Sequence, residues 1–195
     1  HLCARGAEYT RRIHRYMDTI HEVIQKYISL YPHEEILIIS DHGMSTINNR
    51  IDFKLEKQFG KQSKQTYIAY TDSCVMCVWV FDEKLYDKIS QYLLAHQEGH
   101  LLTEKERCYY KATNRMFGDL IYILKEGNCF KTSWFGCSIR KNDSGEGMHG
   151  FWPEREAKDQ MASIILINGH RKINDIYTYE QAYSLITSVM QGKRI

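Results

Sequence analysis

The stretch Ile36-Leu37-Ile38-Ile39-Ser40-Asp41-His42-Gly43 decides the fold. Four consecutive apolar residues, with charge before them and a polar Ser-Asp-His-Gly turn after them, read as a strand covered on both faces. That is the pattern of a parallel sheet flanked by helices. Upstream, Ile13, Tyr16, Met17, Ile20, Val23, Ile24, Tyr27 and Ile28 recur at the spacing of an amphipathic helix over about 8–28, closed by Pro32. Downstream, 162–167 (ASIILI) reads as a second fully buried strand, and Ala182, Leu185, Ile186 and Val189 mark a closing helix over 179–190. Helix, buried strand and helix together imply an α/β chain. We expect Ile36–Ile39 and Ser163–Ile167 in one main sheet, with both helices packed against it.

Between these elements the pattern changes. Residues 45–66 are polar and mixed, suiting a long connection or a short helix. Val75–Phe81 is an apolar run; Asp82 follows as a candidate N-cap for a helix carrying Leu85, Ile89, Leu93 and Leu94, with Gly99 as its stop. Strand-like segments recur at about 101–110 and 119–124, so about 72–127 reads as an inserted β-α-β-β unit. Glycine and polar residues dominate 128–150, a loop long enough to suggest function.

Composition narrows the class without naming a partner. The 195 residues suit one domain, and 43% hydrophobic with 26% charged residues excludes a disordered or fibrous chain. Twenty-six Lys and Arg against 24 Asp and Glu leave +2, which gives no footprint for specific nucleic-acid binding. No apolar run is long enough to cross a bilayer, and the first residues, beginning with His1, lack a signal-peptide core. Six cysteines at irregular spacing do not read as a disulfide scaffold, and Cys74 and Cys77 read as buried thiols, since a strand would point them to opposite faces. The sequon Asn142-Asp143-Ser144 leaves the compartment open.

Chemistry-bearing residues gather where the apolar runs end. Asp41 and His42 follow ILIIS, the position at which open α/β sheets build their sites. A turn frees both side chains from strand alternation, so a carboxylate and an imidazole can face one divalent cation; such N/O donors suit Zn, Mn or Fe better than Ca. The same pair also fits a capping carboxylate beside a surface imidazole. His149 stands in Gly147-Met148-His149-Gly150-Phe151-Trp152-Pro153, where flanking glycines permit close backbone approach to an ion. His1 is a third candidate. His14 and His21 read as surface or interface residues, and His33, His96, His100 and His170 carry no motif.

ILIISDHGMS resembles the strand and metal-binding turn of the type I phosphodiesterase and nucleotide pyrophosphatase family, within the alkaline phosphatase superfamily. GMHGFWPE resembles that family's later histidine loop, and Phe117-Gly118-Asp119 with the following LIYI resembles its Gly-Asp strand. His1 to Gly6, with Asp18 on the helix beyond, are similar to the family's Asp-x-x-x-His segment from its His onward, His1 standing at that His. The resemblance implies an alkaline-phosphatase-like α/β fold, a mostly parallel sheet sandwiched by helices with the small insertion. It also implies that 1–195 is the C-terminal part of one catalytic domain, whose N-terminal half is absent. His1 and His149 would bind one divalent metal ion and Asp41 and His42 a second, Zn or else Mn or Fe, so all four should converge at one end of the sheet. The implied activity is hydrolysis of phosphodiester or pyrophosphate bonds in a small phosphodiester or nucleotide substrate, through a covalent Thr or Ser intermediate whose nucleophile lies upstream. Other readings are a superfamily phosphotransferase or phosphomutase, or a truncated, non-catalytic binding module.

Overall fold

Residues 7–131, 147–152, 164–167 and 179–192 are described by a computed structural model. In chain order these hold α1 (Ala7–Leu30), β1 (Ile36–Ile39), β2 (Ser45–Thr46), β3 (Asn49–Ile51), α2 (Leu55–Phe59), β4 (Tyr67–Asp72) and β5 (Val75–Val80). Then come α3 (Glu83–Leu94), β6 (Gly99–Leu101), α4 (Glu104–Tyr109), a 3-10 turn (Arg115–Phe117), β7 (Leu120–Leu124), β8 (Asn128–Phe130), β9 (Gly147–Met148), β10 (Ile164–Ile167) and α5 (Tyr179–Met190). The described residues fall into two compact units, those within Met44–Gln160 and those within Ala7–Gly43 and Met161–Ile195.

The Met44–Gln160 unit is built on a four-stranded sheet ordered β4-β5-β7-β6. Its β5 has strict period-two burial, with Met76, Val78 and Val80 inward and Val75, Cys77 and Trp79 on the other side. The inward row joins Ile89 and Leu93 of α3, both with no exposed surface, and Leu120, Tyr122 and Leu124 of β7 in one core. Each such apolar side chain contributes about 1.5–3 kcal/mol on burial. Phe53 and Phe59 seal the rim, with the Phe53 ring 5.2 Å from Tyr122 and 5.6 Å from Phe130. As expected, Asp82 caps α3, its carboxylate accepting from Lys84 N at 3.0 Å.

Several expectations are corrected here. The insertion gains β4, and 104–109 of the segment expected as strand is the helix α4, opened by a Thr103/Glu106 capping box. Gly99 does not stop α3, which ends at Leu94. It starts β6, where an added Cβ would come within 2.4 Å of the Tyr122 ring. Short strands β3 and β8 form a parallel pair in stretches expected as connection and loop.

In the other unit β1 and β10 do share a sheet, but they run antiparallel, Ile36 opposite Ile167 and Ile39 opposite Ile164. Of the six described pairings only β3 with β8 is parallel, so the expected parallel character is not found among the described residues. An apolar run reports how deeply a strand is covered and says nothing of its neighbour's direction. Nor is β1 deeply covered: three residues are half-buried and Ile39 is exposed. Helix α5 buries Leu185 and half-buries Ala182, Ile186 and Val189, the face expected of it. Helix α1 forms as expected, yet Met17 is 55% and Val23 64% exposed, so its apolar stripe does not pack against a sheet.

The Gly118-Asp119 pair is a structural joint. Gly118 has φ +90°, and a Cβ there would press on Val78 backbone at 3.0 Å. Asp119 N donates to Val78 O and its carboxylate accepts from Val80 N, both at 2.8 Å, which clamps β7 to β5. Arg107, nearly fully buried, donates to the carbonyl oxygens of Ala112 at 3.2 Å, Gly118 at 2.8 Å and Asp119. Arg107→Met strips donors from these carbonyls and should cost about 3 kcal/mol in urea denaturation. A loss under about 0.5 kcal/mol, the usual size of a neutral surface change, would show that the guanidinium does not hold this joint.

Candidate functional site

The turn after β1 brings Asp41 and His42 together. Asp41 accepts from the His42 backbone N at 2.9 Å, which folds its carboxylate back over the turn. His42 Nδ1 lies 2.7 Å from the Gly43 carbonyl oxygen, so this nitrogen carries the proton and donates. Nε2 then faces the carboxylate, 3.2 Å from Asp41 Oδ2. Two donors held at about 2.0–2.1 Å by one tetrahedral zinc ion lie about 3.3 Å apart, so nitrogen and oxygen already have the bite of a shared ion. The second ring nitrogen fixed by a carbonyl is the usual outer support of a metal-binding imidazole. Asp41 is 83% exposed at its side chain and His42 32%, which leaves the pair accessible. In chemistry and spacing these two residues fit one divalent ion.

His149 belongs to the other unit, on the loop after β9. Strand β9 pairs with β2, Met148 opposite Ser45 and Gly147 opposite Thr46. The His149 carbonyl accepts from the buried Cys74 thiol at 3.2 Å. Gly150 takes φ +84°, Phe151 is buried, and Trp152 N donates to Leu124 O at 3.0 Å. Beyond it, the Trp152 ring lies 4.2 Å from that of His100, whose Nε2 meets Glu106 at 2.9 Å. The Ser45 hydroxyl is buried with no hydrogen-bond partner among the described residues.

Asp41 and His42 therefore meet, His149 stands on a separately described unit, and His1 lies outside the described residues. Among the described residues no three His, Cys, Asp or Glu side chains stand together as a ligand set. Nor is any described helix long and apolar enough to cross a membrane. The other histidines have local roles or none: His14, His21 and His33 are exposed, and His96 sits with Nδ1 2.7 Å from Tyr92 O and its ring on Phe53. Sequence reasoning missed Cys74, because a contact between residues 74 and 149 leaves no local pattern. It also missed the Glu106 partner of His100, which the Thr103-x-x-Glu106 capping signature could have drawn attention to.

Burial, aided by the neighbouring Cys129 thiol and Asp72, pushes the Cys74 thiol up to about 12, and burial raises Cys77 as well. Burial and Glu56 likewise push Tyr67 up to about 12, and burial and Glu98 do so for Tyr122. These groups stay neutral in the folded chain at a pH where the unfolded chain ionises them. Their stabilisation is complete below about pH 8.5 and is lost as pH rises toward about 12. Denaturation midpoints should accordingly be flat near neutrality and fall above about pH 9. At pH 8, iodoacetamide followed by peptide mapping should modify exposed Cys108 and spare Cys74 and Cys129. Equal labelling of Cys74 and Cys108 would contradict the burial described here.

No family model and no curated protein sequence matches the chain. Solved structures do. Phosphonoacetate hydrolase from Sinorhizobium meliloti 1021, in complex with phosphonoacetate, matches 80% of this chain at 17% identity with a TM-score of 0.56. Human ectonucleotide pyrophosphatase/phosphodiesterase 5 matches 85% at 20% identity, also with a TM-score of 0.56. The chain spans 42% of the length of each of these structures. The likeness shows the fold alone: most of this chain has the mixed α/β architecture of these two structures.

Proposed function

We propose that this chain supplies part of the catalytic domain of a metal-dependent hydrolase of phosphodiester or pyrophosphate bonds. The observation that carries the reading is the His42 ring, its Nδ1 committed to Gly43 O and its Nε2 set 3.2 Å from Asp41 Oδ2. The committed Nδ1 leaves Nε2 as the nitrogen for an ion, and the carboxylate beside it supplies the second donor. The shared fold supports the choice of reaction class.

In this reading Asp41 and His42 hold one divalent ion, and His149 with His1 hold a second; zinc suits this donor set, with manganese or iron as alternatives. The chemistry such ions supply is neutralisation of charge on the phosphoryl oxygens and a lowered pKa for a hydroxyl nucleophile. The chain's own residues orient and hold. Gly43 O fixes the tautomer and plane of His42, and the Asp41 carboxylate is restrained by the His42 backbone N–H. The nucleophile, a Thr or Ser in this reading, is outside the residues assigned here. The substrate is a small phosphodiester or a nucleotide.

Asp41→Ala, His42→Ala and His149→Ala, made in the intact natural protein, should each lower hydrolysis of bis-p-nitrophenyl phosphate by several orders of magnitude and reduce bound zinc, with cooperative unfolding retained. His96→Ala should keep its activity, since that ring packs on Phe53. Parental activity and zinc content in Asp41→Ala and His149→Ala would replace this reading with a non-catalytic binding module.

A further inference from the structure

The turn between β4 and β5 lies directly against the loop that carries His149. Its two residues, Ser73 and Cys74, are held from several sides. Ser73 has φ +54°, and its carbonyl accepts from Phe130 N at 2.8 Å and from the Cys129 thiol at 3.2 Å. The Cys74 carbonyl accepts from Leu124 N at 2.8 Å, and Leu124 O in turn accepts from Trp152 N at 3.0 Å. Leu124 thus fastens the turn on one side and the His149 loop on the other. Between those fastenings the Cys74 thiol, 2% exposed, donates to the His149 carbonyl at 3.2 Å. The sulfur also lies against Gly150, where an added Cβ would sit 3.4 Å from it.

The backbone at His149 is consequently restrained before, at and after the residue. Met148 is in register with Ser45, the His149 carbonyl is held by the thiol, and Phe151 is buried at 3% exposure. Peptide planarity links the direction of a residue's carbonyl to the path of the chain on either side, and hence to where its Cβ points. A donor fixed to a rigid turn therefore sets the Cα–Cβ direction, and with it the positions that the imidazole rotamers can reach. A carbonyl can be satisfied by any donor, but only a donor anchored in the sheet can make it directional.

We infer that Cys74 is a positioning residue for His149: its buried thiol aims the His149 imidazole by holding that residue's carbonyl, so the inserted sheet tunes metal affinity at the His149 site. This rests on the reading of His149 as a metal ligand. The cysteine itself neither binds the ion nor reacts.

The test uses the intact natural protein and zinc alone, titrated against a chromophoric chelator, with thermal melting of every variant. Cys74→Ala removes the donor and should weaken zinc binding by about 10-fold or more, the range typical of lost outer support for a metal ligand. Cys74→Ser keeps a donor on a shorter arm and should restore affinity to within about 3-fold of the parent. Ile89→Val, buried on α3, should lower the melting temperature without changing zinc affinity, which separates aiming from general destabilisation. Parental affinity in Cys74→Ala would overturn the inference, and so would equal weakening in Cys74→Ala and Cys74→Ser, which would mark a packing role. The reading of His149 is checked separately by His149→Ala. If His149→Ala loses zinc while Cys74→Ala does not, positioning alone fails; if His149→Ala binds zinc as the parent does, the ligand assignment fails and the inference falls with it.

Discussion

A ladder of two residues, Ser45 opposite Met148 and Thr46 opposite Gly147, fixes the backbone that leads into His149. It joins parts of one unit that are about a hundred positions apart in sequence, the second of them just before His149. So short a ladder is worth little by itself. It persists because both strands border a well-packed unit: Phe151 is buried with the core cluster, Trp152 is bonded to the end of β7, and the Cys74 thiol holds the intervening carbonyl. The four-stranded sheet is therefore part of what holds His149. Its β4–β5 turn and the end of β7 form the platform on which the His149 loop rests.

The two groups of candidate residues are organised by different physics. Asp41 and His42 are arranged locally, through hydrogen bonds that span one residue, and the pair stays accessible to solvent. His149 is arranged at long range, by a strand partner, a buried thiol and a backbone bond to β7. Local arrangement is readable from neighbouring residues. Long-range arrangement requires the fold.

That contrast explains what the sequence revealed. Helix α5 was legible to the residue and α1 nearly so, because long amphipathic periods are strong signals, and β1 was legible because its apolar run is sharply bounded. The antiparallel pairing of β1 with β10 was not, since burial carries no direction. Strand β4 was missed because YIAYTD is mostly half-buried and lacks clean alternation, and α4 was missed because its capping box was not weighed against the strand-like run around it. Asp41 and His42 could be singled out from a turn after a strand. Cys74 could not, because nothing near it in sequence shows that its sulfur reaches His149. The exposed stripe of α1 is a related case: the period shows that a face is apolar and is silent about what covers it.

The most direct test of the account is anomalous X-ray scattering from crystals of the intact protein grown with zinc. The account predicts a zinc peak within about 2.0–2.2 Å of both His42 Nε2 and an Asp41 carboxylate oxygen, with His42 Nδ1 still bonded to Gly43 O. Zinc bound through Nδ1, or fully occupied zinc elsewhere with Asp41 and His42 bonded only to each other, would contradict it.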